Sequence, residues 1–176
     1  RCDFSIEIER EILTVPFEIV DGIEVPAGNY RQVEFEFEWA SSAKRPFFME
    51  MEIEYGDYYL GDALKLESRL FYRPSRFAQL QIGGDFTDAD MPVGNFEAWT
   101  SFLGLRLTPT TQLSFNSLTQ YDNLSKRMGL NNRIRYIIQP GSDLYLVFNK
   151  GFDREEGRFK SFRTESITKL GWTFQF

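Results

Sequence analysis

At 176 residues the chain is long enough for one domain with a core of its own. Its net charge of −6 and pI near 4.8 argue against a nucleic-acid partner, which wants a basic stripe. The absence of His removes Ser-His-Asp and Cys-His nucleophiles and the commonest ligand of catalytic zinc, and the lone Cys2 removes a disulfide framework or CxxC site.

The chain opens on Arg1-Cys2-Asp3-Phe4, without an initiator Met and already inside a strand-like pattern, so the expectation is a mature or truncated piece of a longer protein. Phe4, Ile6 and Ile8 alternate with Ser5, Glu7 and Glu9, which predicts a half-buried first strand. Thr14 to Asn29 carries Pro16, Gly22, Pro26 and Gly28 and reads as a long loop. Tyr30 to Ala40 sets Val33, Phe35, Phe37 and Trp39 against Glu34, Glu36 and Glu38. After a short polar connection, Phe47, Met49, Met51, Ile53 and Tyr55 oppose Phe48, Glu50, Glu52 and Glu54.

Gly56 to Gly61 reads as a loop, followed by Leu64, Leu66, Leu70 and Tyr72 against Lys65, Glu67 and Arg69, and by a turn at Arg73-Pro74-Ser75. Ala78, Leu80, Ile82 and Phe86 form the next row, with Gly83-Gly84 as a bend or close packing point, and Thr87 to Gly94 reads as an acidic loop. Trp99, Leu103, Leu105 and Leu107 oppose Thr100, Phe102 and Arg106; Leu113, Phe115 and Tyr121 follow after Thr108-Pro109-Thr110-Thr111. Leu130, Ile134, Tyr136 and Ile138 oppose Asn131, Arg133 and Arg135, and Gln139-Pro140-Gly141-Ser142 is a turn. Leu144, Leu146 and Phe148 come next, then a charged loop over 150–163, then a terminal strand with Leu170, Trp172, Phe174 and Phe176 on one face and Lys169, Thr173 and Gln175 on the other.

These are about ten strands and no helix, which predicts an all-β, antiparallel fold. No stretch reaches the roughly 20 apolar residues of a spanning helix, but a transmembrane barrel needs only alternate residues facing lipid. Long and short connections alternate along the chain, as expected of external loops and periplasmic turns. On the apolar face Trp39, Phe47, Tyr72, Tyr136 and Phe176 fall near the short turns, and Tyr55, Phe86, Trp99 and Tyr121 near the long loops. Phe47 and Tyr55 lie about 26 Å apart along their strand at ~3.3 Å per residue, ~20 Å once tilted, which matches an apolar band between two aromatic girdles. The expectation is a single outer-membrane barrel domain over 1–176 in the bacterial outer membrane. Its partners would be the lipid bilayer and, through Trp172, Phe174 and Phe176, the barrel-assembly machinery.

Pro16-Phe17-Glu18-Ile19, Val25-Pro26-Ala27-Gly28-Asn29-Tyr30, Gln120-Tyr121-Asp122-Asn123 and the run from Asn131-Asn132-Arg133-Ile134-Arg135-Tyr136 through Pro140-Gly141-Ser142-Asp143-Leu144-Tyr145-Leu146-Val147-Phe148-Asn149 carry a resemblance. The chain resembles the C-terminal barrel of an uncharacterised family of bacterial outer-membrane proteins whose N-terminal half is similar to a family 9 carbohydrate-binding domain. The resemblance implies a companion domain, earlier strands that make these ten part of a larger barrel, and a link to saccharides. It implies no catalytic residue and no cofactor.

With the apolar rows toward lipid, the lumen receives Glu7, Glu9, Glu34, Glu36, Glu38, Glu50, Glu52 and Glu54 from the early strands and Arg106, Arg133, Arg135 and Lys169 from the later ones, with Lys65, Glu67 and Arg69 between. Such charges hydrate or cross-brace a barrel interior, steer polar solutes through a transverse field, or hold a hard cation such as calcium. No dedicated metal site is indicated. Carboxylate pairs at glycosidase spacing arise from so many glutamates by composition alone, so no enzyme is indicated either. Three functions compete: a porin-like pore or transporter for small polar solutes, including saccharides; a non-conducting barrel that anchors or docks another domain; and a soluble barrel, apolar face inward, that binds a lipophile.

Overall fold

The computed structural model describes residues 1–155 and 157–173. Twelve strands occur among them and no helix, so no helix among the described residues is long and apolar enough to cross a membrane. Ten strands build one antiparallel sheet in which each pairs with the next along the chain: β1 (Cys2–Leu13), β4 (Gly28–Ala40), β5 (Phe47–Tyr58), β6 (Gly61–Ser75), β7 (Ala78–Met91), β8 (Gly94–Leu107), β9 (Leu113–Asp122), β10 (Arg127–Gln139), β11 (Ser142–Glu155) and β12 (Arg158–Trp172). A separate two-stranded hairpin, β2 (Phe17–Val20) and β3 (Ile23–Val25), interrupts the β1–β4 connection. Strands β1 and β12 are the sheet's two edges, and the sheet is not closed on itself.

Antiparallel partners share a face, so the register sorts every residue. Phe4, Phe37, Ile53, Leu66, Phe86 and Trp99 form one continuous cross-strand row of apolar side chains. Ser5, Glu36, Glu54, Lys65 and Thr87 form the adjacent row on the opposite face. Little of the apolar face is covered: Phe4 is 67% exposed, Ile82 49% and Leu103 47%. The chain presents 12213 Å² to its surroundings, against ~8,900 Å² for a compact water-soluble chain of this mass. The excess is the uncovered sheet.

Several expected loops are ladder. Gly56 and Asp57 pair with Ala63 and Asp62, so only Tyr59-Leu60 separates β5 from β6. Thr87 to Met91 pair with Ala98 back to Gly94, leaving Pro92-Val93 as the turn. The charged run after Lys150 pairs through to Glu155 and Arg158. The connections therefore do not alternate between long and short; instead the strands project past the apolar band on one side. There Asp57, Asp62, Asp88, Asp90 and Glu97 stand on the same face as the apolar rows. Hydropathy marks the end of the band, whereas backbone hydrogen bonding carries the strand further. The turn expected at Arg73-Pro74-Ser75 likewise shifts to Arg76-Phe77, because β6 continues past a register irregularity between Tyr72 and Ser75.

Gly83 sits where β6 and β8 close in on β7: a Cβ there would stand 2.6 Å from the Phe102 ring, which lies over it on the charged face. Glycine permits that overlap. Gly83→Val is expected to lower stability by about 1–3 kcal/mol through overpacking, read as a reduced urea midpoint, while Gly129→Val, with open space around the added atoms, is expected to be nearly silent.

Candidate functional site

The expected lumen-lining charges, Glu7, Glu9, Glu34, Glu36, Glu38, Glu50, Glu52, Glu54, Lys65, Arg69, Arg106, Arg133 and Arg135, all project from one face of the sheet. Its acidic part spans β1, β4, β5 and β6. Lys65 is the hub there, its Nζ 3.1 Å from Glu34 and 2.9 Å from Glu54, all three half-buried. The Ser5 hydroxyl donates to Glu36 at 2.7 Å, Arg69 pairs with Glu67, and Arg1 pairs with Asp3 and reaches Glu38 at 3.5 Å. Carboxylate oxygens of Glu36, Glu38 and Glu52 come within 4.8 Å of one another. That spacing is compatible with a shared hard cation, and an acidic wall produces it equally well without one. Beside them Arg1, Glu38, Glu50, Glu52, Glu67 and Arg69 line an open hollow of about 250 Å³.

On the later strands the expected basic groups are interleaved with acids. Arg135 binds Asp143 at 3.0 Å, Arg127 binds Asp153 at 2.9 Å and Arg163 binds Glu165 at 3.2 Å. Arg106 and Arg133 contact neutral groups, the Asn116 carbonyl at 3.2 Å and the Tyr145 ring at 4.7 Å. Lys169 lies opposite Tyr145. The face thus runs from strongly acidic on β1–β6 to cation-rich on β10–β12, where, among the described residues, Arg127, Arg133, Arg135, Arg158, Lys160, Arg163 and Lys169 face only Asp143, Asp153, Glu155 and Glu165. Asp153 and Arg163 belong to the stretch that sequence alone reads as a loop; the alternation around them, continued through the ladder, is the signal that would have placed them.

The opposite face carries Trp39, Phe47, Tyr55, Tyr72, Phe86, Trp99, Tyr121, Tyr136 and Trp172. Phe47 stacks on Tyr72 with ring centroids 4.2 Å apart, and Trp99 meets Tyr121 at 5.3 Å. Phe159, also within the misread stretch, joins the second pair 6.0 Å from Tyr121. Trp172 pairs with Ser142; Phe174, Gln175 and Phe176 lie outside the described residues.

These aromatics climb across the hydrogen-bond ladder. The rung through Trp39 passes Met51, Ser68, Gly84, Ser101, Tyr121 and Met128 to Phe152, ten residues from Ser142, the partner of Trp172. Ten residues over eight strand steps is ~33 Å of stagger across ~38 Å of sheet, an angle of ~40°. Strands inclined by that angle bring Trp39 and Trp172 to one level and leave Tyr121 at another.

Near the β5–β6 turn the charged face carries an aromatic cluster, of which Tyr30 is buried. Tyr30 packs edge-on to Tyr59 at 5.4 Å, Tyr59 on Tyr58 at 5.1 Å, and Tyr58 faces Phe96 at 6.4 Å. Burial and the hydrogen bond to Glu11 push the Tyr59 phenol up to about 12. Its backbone N–H donates to the buried Gln32 side chain at 3.3 Å. At the other end of β5, Phe48 is also buried, stacked on Phe71 at 4.3 Å beneath the Arg73 guanidinium.

The fold and the two faces define an all-β antiparallel sheet with one apolar, aromatic-banded surface and one charged surface. Comparison with protein-family models, with curated proteins and with solved structures returns no match.

Proposed function

We propose that this sheet is the wall of a bacterial outer-membrane β-barrel whose charged face lines a pore for small polar solutes. The carrying observation is the uncovered apolar face with aromatics at two levels, related by a ~40° climb across the ladder. Outer-membrane strands incline by 35–45° and place aromatic girdles at both interfaces. In this reading the free edges β1 and β12 are where the wall closes or continues. The C-terminal strand engages the assembly machinery, and the polar extensions of β5–β8 stand clear of the bilayer. The acidic surface of β1–β6 favours cations and hydroxyl-rich neutral solutes over anions. A saccharide is the solute class suggested by the resemblance to barrels that accompany a carbohydrate-binding-like domain.

The membrane reading is tested by refolding. Yield is expected to depend on detergent or lipid vesicles, and full recovery of the folded state in buffer alone would overturn it. The pore is tested by planar-bilayer recording, with ohmic conductance whose cation preference falls in the Glu36→Gln, Glu52→Gln double variant. A membrane-inserted protein that never conducts would leave the barrel as an anchor for another domain.

A further inference from the structure

We infer that the β2–β3 hairpin is a built-in constriction of the channel mouth, folded across the charged face so that it sets the size and charge of the solutes that pass; this rests on the pore reading. The hairpin hangs between β1 and β4, yet Ile23 reaches the β7–β8 turn. A Cβ placed on Gly94 would stand 3.0 Å from Ile23 Cδ1. Gly94 pairs with Met91 on the charged face, so the hairpin crosses the ends of β5 and β6 on that side of the sheet and not on the apolar side. Glycine at φ +141 leaves room for this crossing.

The crossing is seated. Val25 is fully buried, and Tyr30 beneath it donates its phenol to the Pro26 carbonyl at 2.6 Å. Ala63, Ala89 and Met91 occupy the charged face at this end, and each is at most 4% exposed. Together with Phe48 these residues make up the buried apolar core of the described chain. Apart from Phe48, then, the dry core lies at the end of the polar face that the hairpin crosses. A solvated surface loop would bury none of it.

Besides Phe17, the side chains that the hairpin exposes are acidic. Asp21-Gly22 makes the tight turn, with Gly22 at φ +81, and the Gly22 N–H donates to Glu18 at 2.9 Å. Glu18, Asp21 and Glu24 all face outward, adding carboxylates to a mouth whose β1 wall already presents Glu9. Such a ring admits cations and uncharged polar solutes and repels anions.

Planar-bilayer recording of the full protein tests this with two kinds of variant. Replacing Phe17–Val25 with a short Gly-Ser link, or unseating the hairpin with Ile23→Asp should the deletion fail to fold, is expected to raise single-channel conductance severalfold. Glu18→Gln, Asp21→Asn and Glu24→Gln together are expected to lower the potassium-over-chloride preference, measured as reversal potential in a KCl gradient. A silent parent protein that conducts once the hairpin is removed supports the constriction in its fully closed form. A conducting parent whose conductance and selectivity are unchanged by every variant overturns the constriction and leaves the pore. Silence in all of them overturns both.

Discussion

Ile82→Arg is expected, on the proposed membrane reading, to destabilise the protein in a bilayer by about 2–4 kcal/mol, the penalty for a cationic side chain at the midplane on the lipid face of a barrel. Ile82 pairs with Leu70 and Leu103 and lies between the level of Leu80 and Tyr72 and that of Phe86 and Trp99. Its neighbour Gln81 points to the charged face, opposite Phe71 and Gly104. Gln81→Arg is therefore the control, expected to stay within about 0.5 kcal/mol. Urea titration of folding into lipid vesicles measures both. The contrast is sharp because Ile82 is already half exposed. Were its surroundings water, arginine there would be harmless, so equal midpoints for the two variants would count directly against lipid contact.

Face assignment was legible in the sequence because strand alternation has a period of two and antiparallel pairing preserves the face across every rung. Glu34, Glu36 and Glu38 against Phe35, Phe37 and Trp39 needed no tertiary information. Strand ends were not legible in the same way. Past the band, Asp57, Asp62, Asp88 and Asp90 are polar on what had been the apolar face, and a hydropathy pattern cannot distinguish that from a loop. Asp153, the partner of Arg127, was hidden with those ends, and so were Arg158, Lys160 and Arg163, so the late strands are as cationic as they looked but more of their charge is paired.

The hairpin was hidden differently. Phe17-Glu18-Ile19-Val20 and Ile23-Glu24-Val25 flank Asp21-Gly22, a strong local hairpin signal. Pro16 and Pro26 on either side, with Gly22 and Gly28, suggested one long loop, although proline at the margins only ends the short strands. Where the hairpin folds depends on Gly94, more than sixty residues away in sequence. No local pattern encodes that contact.

Lys65→Met tests whether the acidic wall depends on its internal cation. The ammonium bridges Glu34 and Glu54 and lies 5.7 Å from the Tyr58 ring centroid, with Lys65 32% exposed and the glutamates 22% and 26%. Breaking a fully buried pair costs about 3–5 kcal/mol because a charge is left without its partner, while exposed pairs contribute ~1 kcal/mol or less. Partial exposure sets the expectation between these, at about 1–3 kcal/mol. The methionine keeps the stem's packing, so the loss reports charge rather than volume. Adding Glu54→Gln should restore part of the stability, since one of the two stranded carboxylates disappears; the double-mutant cycle isolates that coupling. Raising salt should narrow the gap between Lys65→Met and the parent protein, because the unbalanced glutamates then screen one another less repulsively through counterions. A neutral Lys65→Met at low salt, or a Glu54→Gln that adds its own loss independently, would mean that water alone hydrates these glutamates. If the charged face lines a pore, as proposed, the same substitution removes a positive charge from the acidic wall, so cation preference is expected to rise as stability falls.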